Sequence, residues 1–254
     1  MPTIIDASQF DKNLNSFAHQ GPTEVGRICY FISSNQLYKL TEINLIDPGD
    51  EIDTCVTIHL VNHQSGDDDV MALRVDELYD DGNTESSIII TLLRESNETL
   101  NRLVGRIALR KYSLLNYANE YESAPQVAAV KVEREYQQRG IITASYLSLL
   151  NWYDYLVSDD YQTVSGAKIW ANSLSVRADV QIYDGANECF CGILGPSAIG
   201  NDGFKPWCSE PLTNLHSWAP NLLQDQPQKF IVLVLSREFS PEVGYAKPFL
   251  RIGP

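Results

Sequence analysis

Two groups of residues have the types and spacing from which chemistry is built. The first lies at residues 130–147, VKVEREYQQRGIITASYL, where a β-type run meets a glycine-containing turn and then an apolar helical pattern. The first turn of a helix carries unpaired N–H groups and the positive end of the macrodipole. A glycine there lets backbone approach a phosphate closely, so this segment predicts an anion site. It holds neither G-x4-G-K-[ST] nor G-x-G-x-x-G, which excludes a Walker loop and a dinucleotide fingerprint. The second group is Cys189-Phe190-Cys191, followed by Cys208 and His216. Four such ligands could hold zinc. However, C-x-C is not the usual C-x2-C knuckle and the other two are scattered, so buried or incidental thiols are the expected reading and no metal is assigned. No G-x-S-x-G elbow supports a serine hydrolase.

These residues need elements to place them. Residues 28–32, 40–46 and 54–61 have β texture and predict an N-terminal β region, with a turn at 47–50. A short helix is expected around 10–17. In 54–61 the pattern puts Cys55, Thr57 and His59 on one face and Val56, Ile58 and Leu60 on the other, with His59 at the surface. SIIITLL at 87–93 is β-branched and predicts a buried strand, with LVGRIAL at 103–109 as its antiparallel partner. Residues 126–132 predict another strand and 141–156 a helix. AKIWA at 167–171 reads as a short strand, 174–183 as a helix and FIVLVL at 230–235 as the last strand. The expected class is α/β (α+β): a mixed, mostly antiparallel central sheet with flanking helices. The N-terminal β-rich extension spans 1–85, and the main domain spans 86–254 with a long loop at 192–228.

Composition bounds the partners. The 254 residues include 33 acids and 19 bases, for a formal charge of −14. So negative a chain repels nucleic-acid phosphates and anionic lipid, so neither nucleic acid nor membrane is an expected partner. No basic-then-apolar leader opens the chain and no run of about 18 apolar residues occurs, which together predict a cytoplasmic protein. The acids at 67–85 (Asp67, Asp68, Asp69, Asp76, Glu77, Asp80, Asp81 and Glu85) read as a solvated loop and helix end, or as a surface attracting a cation.

The segment 130–147 resembles motif A of the GNAT superfamily of N-acetyltransferases, in which a strand meets Q/R-x-x-G-x-G/A and then a helix. Val132 to Tyr136 is similar to the strand end, with Arg134 where proline is common. Gln137 and Gly140 fill two fixed places of the loop, and Ile142 departs from the usual Gly or Ala. Val104, Gly105, Ile107 and Leu109 resemble the family's preceding V-G-x-I-x-L strand. Tyr183-Asp184 resembles the end of its motif B helix.

The resemblance implies a GNAT-like fold with acetyl-CoA in a V-shaped gap between two splayed parallel strands, here 126–133 and 167–171. It implies pantetheine contacts from Val130 and Val132, and a cofactor loop of Gln137, Gln138, Arg139, Gly140, Ile141, Ile142 and Thr143. Ile142 would crowd that turn. Tyr183 would protonate the leaving thiolate. Glu133, Glu135 or Glu122 would serve as base, the first two on one face if the strand continues through both. The implied acceptor is an amine of a small molecule or of a protein lysine or N-terminus, with Trp207 and Trp218 as possible covers of its pocket. The alternative is a catalytically degenerate acyltransferase fold acting as an acidic binding protein.

Overall fold

The computed structural model describes residues 3–5, 14, 21–46, 52–195, 199–200, 203–209 and 230–237. The helix expected around 10–17, the turn at 47–50, most of the loop at 192–228, His216 and Trp218 lie outside them. The described chain runs β1 (Thr3–Ile5), β2 (Thr23–Ser33), β3 (Gln36–Leu45), β4 (Thr54–Leu60), α1 (Asp68–Asp80) and α2 (Glu85–Glu95). It continues β5 (Arg102–Leu115), β6 (Tyr121–Val132), α3 (Ile141–Leu149), β7 (Tyr155–Val157), β8 (Tyr161–Thr163) and α4 (Val164–Lys168). It closes with β9 (Val180–Asp184), β10 (Cys189–Ile193), β11 (Cys208–Ser209) and β12 (Ile231–Ser236). This is an α+β chain with a large, mostly antiparallel open sheet and a few helices.

Two compact units divide it. One takes in Leu14–Leu109 and Val130–Trp152; the other takes in β1, Arg110–Ala129 and the chain from Tyr153 onward. In the first unit the hydrogen-bonded order is β6-β5-β4-β3-β2. The β2–β3 hairpin turns on Ser34 (φ 46°) and Asn35 (φ 57°), between the paired residues Ser33 and Gln36. Two central residues with positive φ match the right-handed twist of the strands they join, and asparagine tolerates that conformation. In β4, Val56, Ile58 and Leu60 are buried while Thr57 and His59 are half-buried; Cys55, predicted on the same face as those two, is also buried, so the alternation in burial holds only over 56–60, and His59 is not at the surface. Burial first, then Lys39 and Arg106, hold the His59 imidazole below its ordinary pKa.

Residues 87–93 are helical, not a strand, and β5 pairs with β4 instead. Thr84 caps α2 by accepting from the Ser87 N–H at 3.4 Å, and Glu85 sits in the first turn. Ile88, Ile89 and Leu92 then share one helical face against Leu37, Val61, Met71, Val75 and Leu78. Burying that apolar stripe outweighs the β preference of an isoleucine run.

In the other unit the order is β10-β9-β12-β7-β6-β5, with a separate all-parallel sheet β11-β1-β8. Three expectations change here. The helix predicted over 141–156 stops at Leu149. Asn151 N–H donates to Ser148 O and Trp152 N–H to Leu149 O, which tightens the last turn, and Tyr155, Leu156 and Val157 then pair with β12. Residues 167–171 are helical: Thr163 caps α4 through the Gly166 N–H at 3.2 Å, and a wider π-type turn continues it over Ile169–Leu174. Buried Ala167, Trp170, Ala171 and Leu174 follow the i, i+3, i+4, i+7 pattern that a helix requires. Residues 180–184 are a strand between β12 and β10, so the helix expected over 174–183 is absent and Val180 to Tyr183 are buried in the sheet. The parallel neighbour of β6 is therefore β7, not 167–171. Gln126↔Val157 pairs them, and β6 runs on beyond Gln126 where β7 has ended.

Candidate functional site: the turn between β6 and α3

The turn is built within one unit. β5 and β6 approach closely at Gly105, where an added Cβ would lie 2.9 Å from the Lys131 carbonyl oxygen. The Glu133 N–H donates to Val104 O at 2.9 Å and ends the pairing. A 3-10 turn, Arg134–Tyr136, follows, so the strand does not continue through Glu133 and Glu135 as the shared-face expectation required. Both are exposed, and the Glu133 carboxylate pairs with Lys131 at 2.8 Å. Of the turn's first residues only Tyr136 is buried, beneath the guanidinium groups of Arg139 (5.2 Å) and Arg102 (5.8 Å). With exposed Arg134, these place cations in the same turn of an otherwise acidic chain.

Gln137 holds the turn. Its side-chain amide donates to Val132 O at 3.1 Å and its N–H to Arg134 O at 3.3 Å. Gln138 and Gly140 adopt left-handed conformations, φ 64° and 71°. Two hydroxyls from the β2–β3 turn, Ser33 and Ser34, donate to Arg139 O at 2.7 and 3.0 Å and pin the loop from outside. The α3 helix starts on Gly140 with no side-chain cap, whereas Asp67, Thr84 and Thr163 cap α1, α2 and α4. The Ala144 N–H takes Gly140 O at 3.0 Å, which leaves the first-turn N–H groups of Ile141, Ile142 and Thr143 ahead of it. All three residues are buried, Ile142 at 8% exposure, whereas residues 137–140 are exposed. Val130 and Val132 are half-buried at the end of β6.

Chemically the turn is a run of backbone donors at a helix start, with arginines nearby. It suits an anion carrying several acceptor oxygens. Sequence inspection finds Gln137 and Gly140 but misses Ser33, Ser34 and Tyr136. The Ser-Ser-Asn run between two β segments signals a turn, but nothing in it tells what that turn touches.

Tyr183 belongs to the other unit. It is 1% exposed on β9, in a cluster with Leu114, Tyr155, Val157, Val232 and Val234. Its hydroxyl accepts from the Leu115 N–H at 2.9 Å, and Phe190 meets its ring edge-on at 5.0 Å. Burial pushes its phenol up, opposed by the Leu115 N–H. Glu122 is half-buried, 3.4 Å from the Asn116 amide. Trp207 is fully buried and its indole N–H donates to Gln162 Oε1 at 3.2 Å.

A polar network that sequence reasoning does not find also lies in this unit. Arg110 donates to Gln126 Oε1 and to Asp160 Oδ2, both at 2.7 Å, and Gln126 donates to Ser158 O at 2.9 Å. It occupies the point where β6 pairs with β7 and satisfies buried Gln126 there. Among the described residues no group of three or more His, Cys, Asp or Glu is placed to hold a metal ion. No helix among them is long and apolar enough to cross a membrane.

Comparison with protein-family models, with curated proteins and with solved structures finds no match to this chain.

Proposed function

We propose that this protein binds acetyl-CoA at the β6–α3 turn and transfers its acetyl group to an amine, as a divergent relative of the GNAT superfamily. The single observation that carries this reading is the glycine-started, uncapped α3 behind a turn with Gln138 and Gly140 at positive φ. Three further features support it. The parallel β6–β7 pair is joined at Gln126↔Val157, and β6 extends beyond it to Val132. Gln137 holds the turn by its side chain. Arg139 and Arg134 offset the acids of the same loop.

On this reading the pyrophosphate accepts from the N–H groups between Gln138 and Thr143, and β6 backbone near Val130 and Val132 pairs with the pantetheine arm. A neutral amine attacks the thioester carbon, the C–S bond breaks, and the amine's proton leaves to Glu133, Glu135 or water. The thiolate takes its proton from solvent. The exposed acids of α1 draw the cationic acceptor toward the same unit, by a field that salt screens beyond about 8–10 Å.

A second reading, a catalytically degenerate acyltransferase fold acting as an acidic binding protein, is favoured by Tyr183, whose hydroxyl is buried and already engaged. Thermal unfolding with and without acetyl-CoA tests the first reading. Ligand at a hundred times Kd stabilises by about 2.7 kcal/mol, and no upward shift at millimolar acetyl-CoA overturns it in favour of the second. CoA release over a panel of amines then separates transfer from binding alone.

A further inference from the structure

Cys189 and Cys191 flank Phe190 on β10, the terminal strand of its hydrogen-bonded order. Phe190 turns inward, stacked on Tyr117 at 4.3 Å and edge-on to Tyr183 at 5.0 Å. Both flanking thiols are exposed, whereas Cys29, Cys55 and Cys208 are buried. In a regular strand, residues two apart sit about 6.6 Å from one another, too far for a disulfide, which needs Cβ atoms roughly 3.5–4.5 Å apart. This strand is not regular. Its pairing with β9 steps from Phe190↔Tyr183 to Gly192↔Ile182, so Cys191 is the extra residue of a β-bulge. There the Cys191 thiol folds back on its neighbour: its sulfur lies 3.7 Å from Cys189 O.

We infer that Cys189 and Cys191 form a reversible dithiol–disulfide site that exchanges with small-molecule disulfides of the glutathione type. The thiolate of one cysteine attacks a sulfur of the incoming disulfide and expels one thiolate, leaving a mixed disulfide on the protein. The second cysteine, as thiolate, attacks the protein-bound sulfur and expels the other half. Two electrons pass from the dithiol to the small molecule, and its two expelled thiolates take up, through solvent, the two protons the cysteines give up, so that it leaves as two thiols. The bulge turns the Cys191 thiol back toward Cys189, the edge position supplies access, and the inward Phe190 anchors the strand while the ring closes. The inference is independent of the acetyl-transfer reading.

The intact protein, pre-reduced, is treated with oxidised glutathione under native conditions. Thiols are counted with Ellman's reagent and the mass is measured. Before oxidation two of the five cysteines should titrate rapidly. Afterwards none should, with a mass loss of two hydrogens, a 189–191 crosslink in the non-reduced peptide map, and full recovery on adding dithiothreitol. Cys191→Ser, which leaves Cys189 without a partner thiol, should instead hold one stable glutathione. Persistent glutathione on the native protein, an unchanged thiol titre, or a disulfide-linked dimer would overturn the inference.

Discussion

Gly140 shows how a single backbone angle can carry a site. At φ 71° an alanine Cβ is strained, and it would also lie 3.3 Å from Ser33 Oγ. Gly140→Ala should lower stability by about 1–2 kcal/mol and shrink the thermal shift given by acetyl-CoA. A variant that melts and responds like the native chain would contradict both roles of this residue. Gln137 and Gly140 are legible in the sequence because their meaning is local: an amide that caps a strand end, and a residue free to turn left-handed. Ser33 and Ser34 are not, because 106 and 105 residues separate them from the carbonyl they hold. Tyr183 shows the opposite hazard. Its identity and its acidic neighbour suggest a helix end, yet its setting is a central strand, where burial and one backbone N–H occupy its hydroxyl.

At the scale of elements, α2 puts most at stake. Leu92 is completely buried in the cluster that joins α1, α2 and β3. Leu92→Ala should cost about 2–5 kcal/mol in chemical denaturation, the range for a leucine truncated in a packed core. Glu85→Ala, on the same helix but at its first turn, should cost well under 1 kcal/mol. Strands with alternating or uniformly apolar patterns, β3, β4, β6 and β12, are readable from the sequence. The errors fall on short apolar runs that suit either state. Residues 87–93 are rich in isoleucine yet helical, because Thr84 caps them and one face is buried. Residues 167–171 look like a strand until Leu174 is included, which completes a helical stripe. Residues 180–184 have no helical stripe at all, and become a strand because β12 and β10 take their backbone groups on both sides. Length and neighbours decide such runs, and neither is visible in a window of five residues.

For the molecule as a whole, buried acids of the weak kind dominate the response to alkali. Burial, opposed by Arg106, pushes the Cys55 thiol from its ordinary 9 up to about 11. Burial with nearby Tyr183, Asp160 and Asp184 pushes Tyr112 from 10 up to about 12. Burial likewise raises Cys29, Tyr30 and Tyr183. Each group holds its proton more tightly in the folded chain than in the unfolded one. Their contribution is therefore whole below pH 9 and declines as pH climbs toward 11–12. Denaturant midpoints should be flat from pH 7 to 9 and fall steadily above that; a midpoint unchanged at pH 11 would refute this. The two compact units bear on truncation too. A fragment of residues 86–254 lacks Leu37, Val61, Met71, Val75 and Leu78, five of the eight buried members of the α1–α2 cluster. It should show no cooperative melting by near-UV circular dichroism, and a sharp transition would show that the later segment folds alone. Among the points where the chain passes from one unit to the other are 109/110, 129/130 and 152/153, the first two inside β5 and β6. Neither unit is an uninterrupted cassette, so a gene rearrangement that moved one would have to cut two strands in mid-course. Variation in this protein is thereby channelled into substitutions and loop insertions, because exchange of parts would break both units at once.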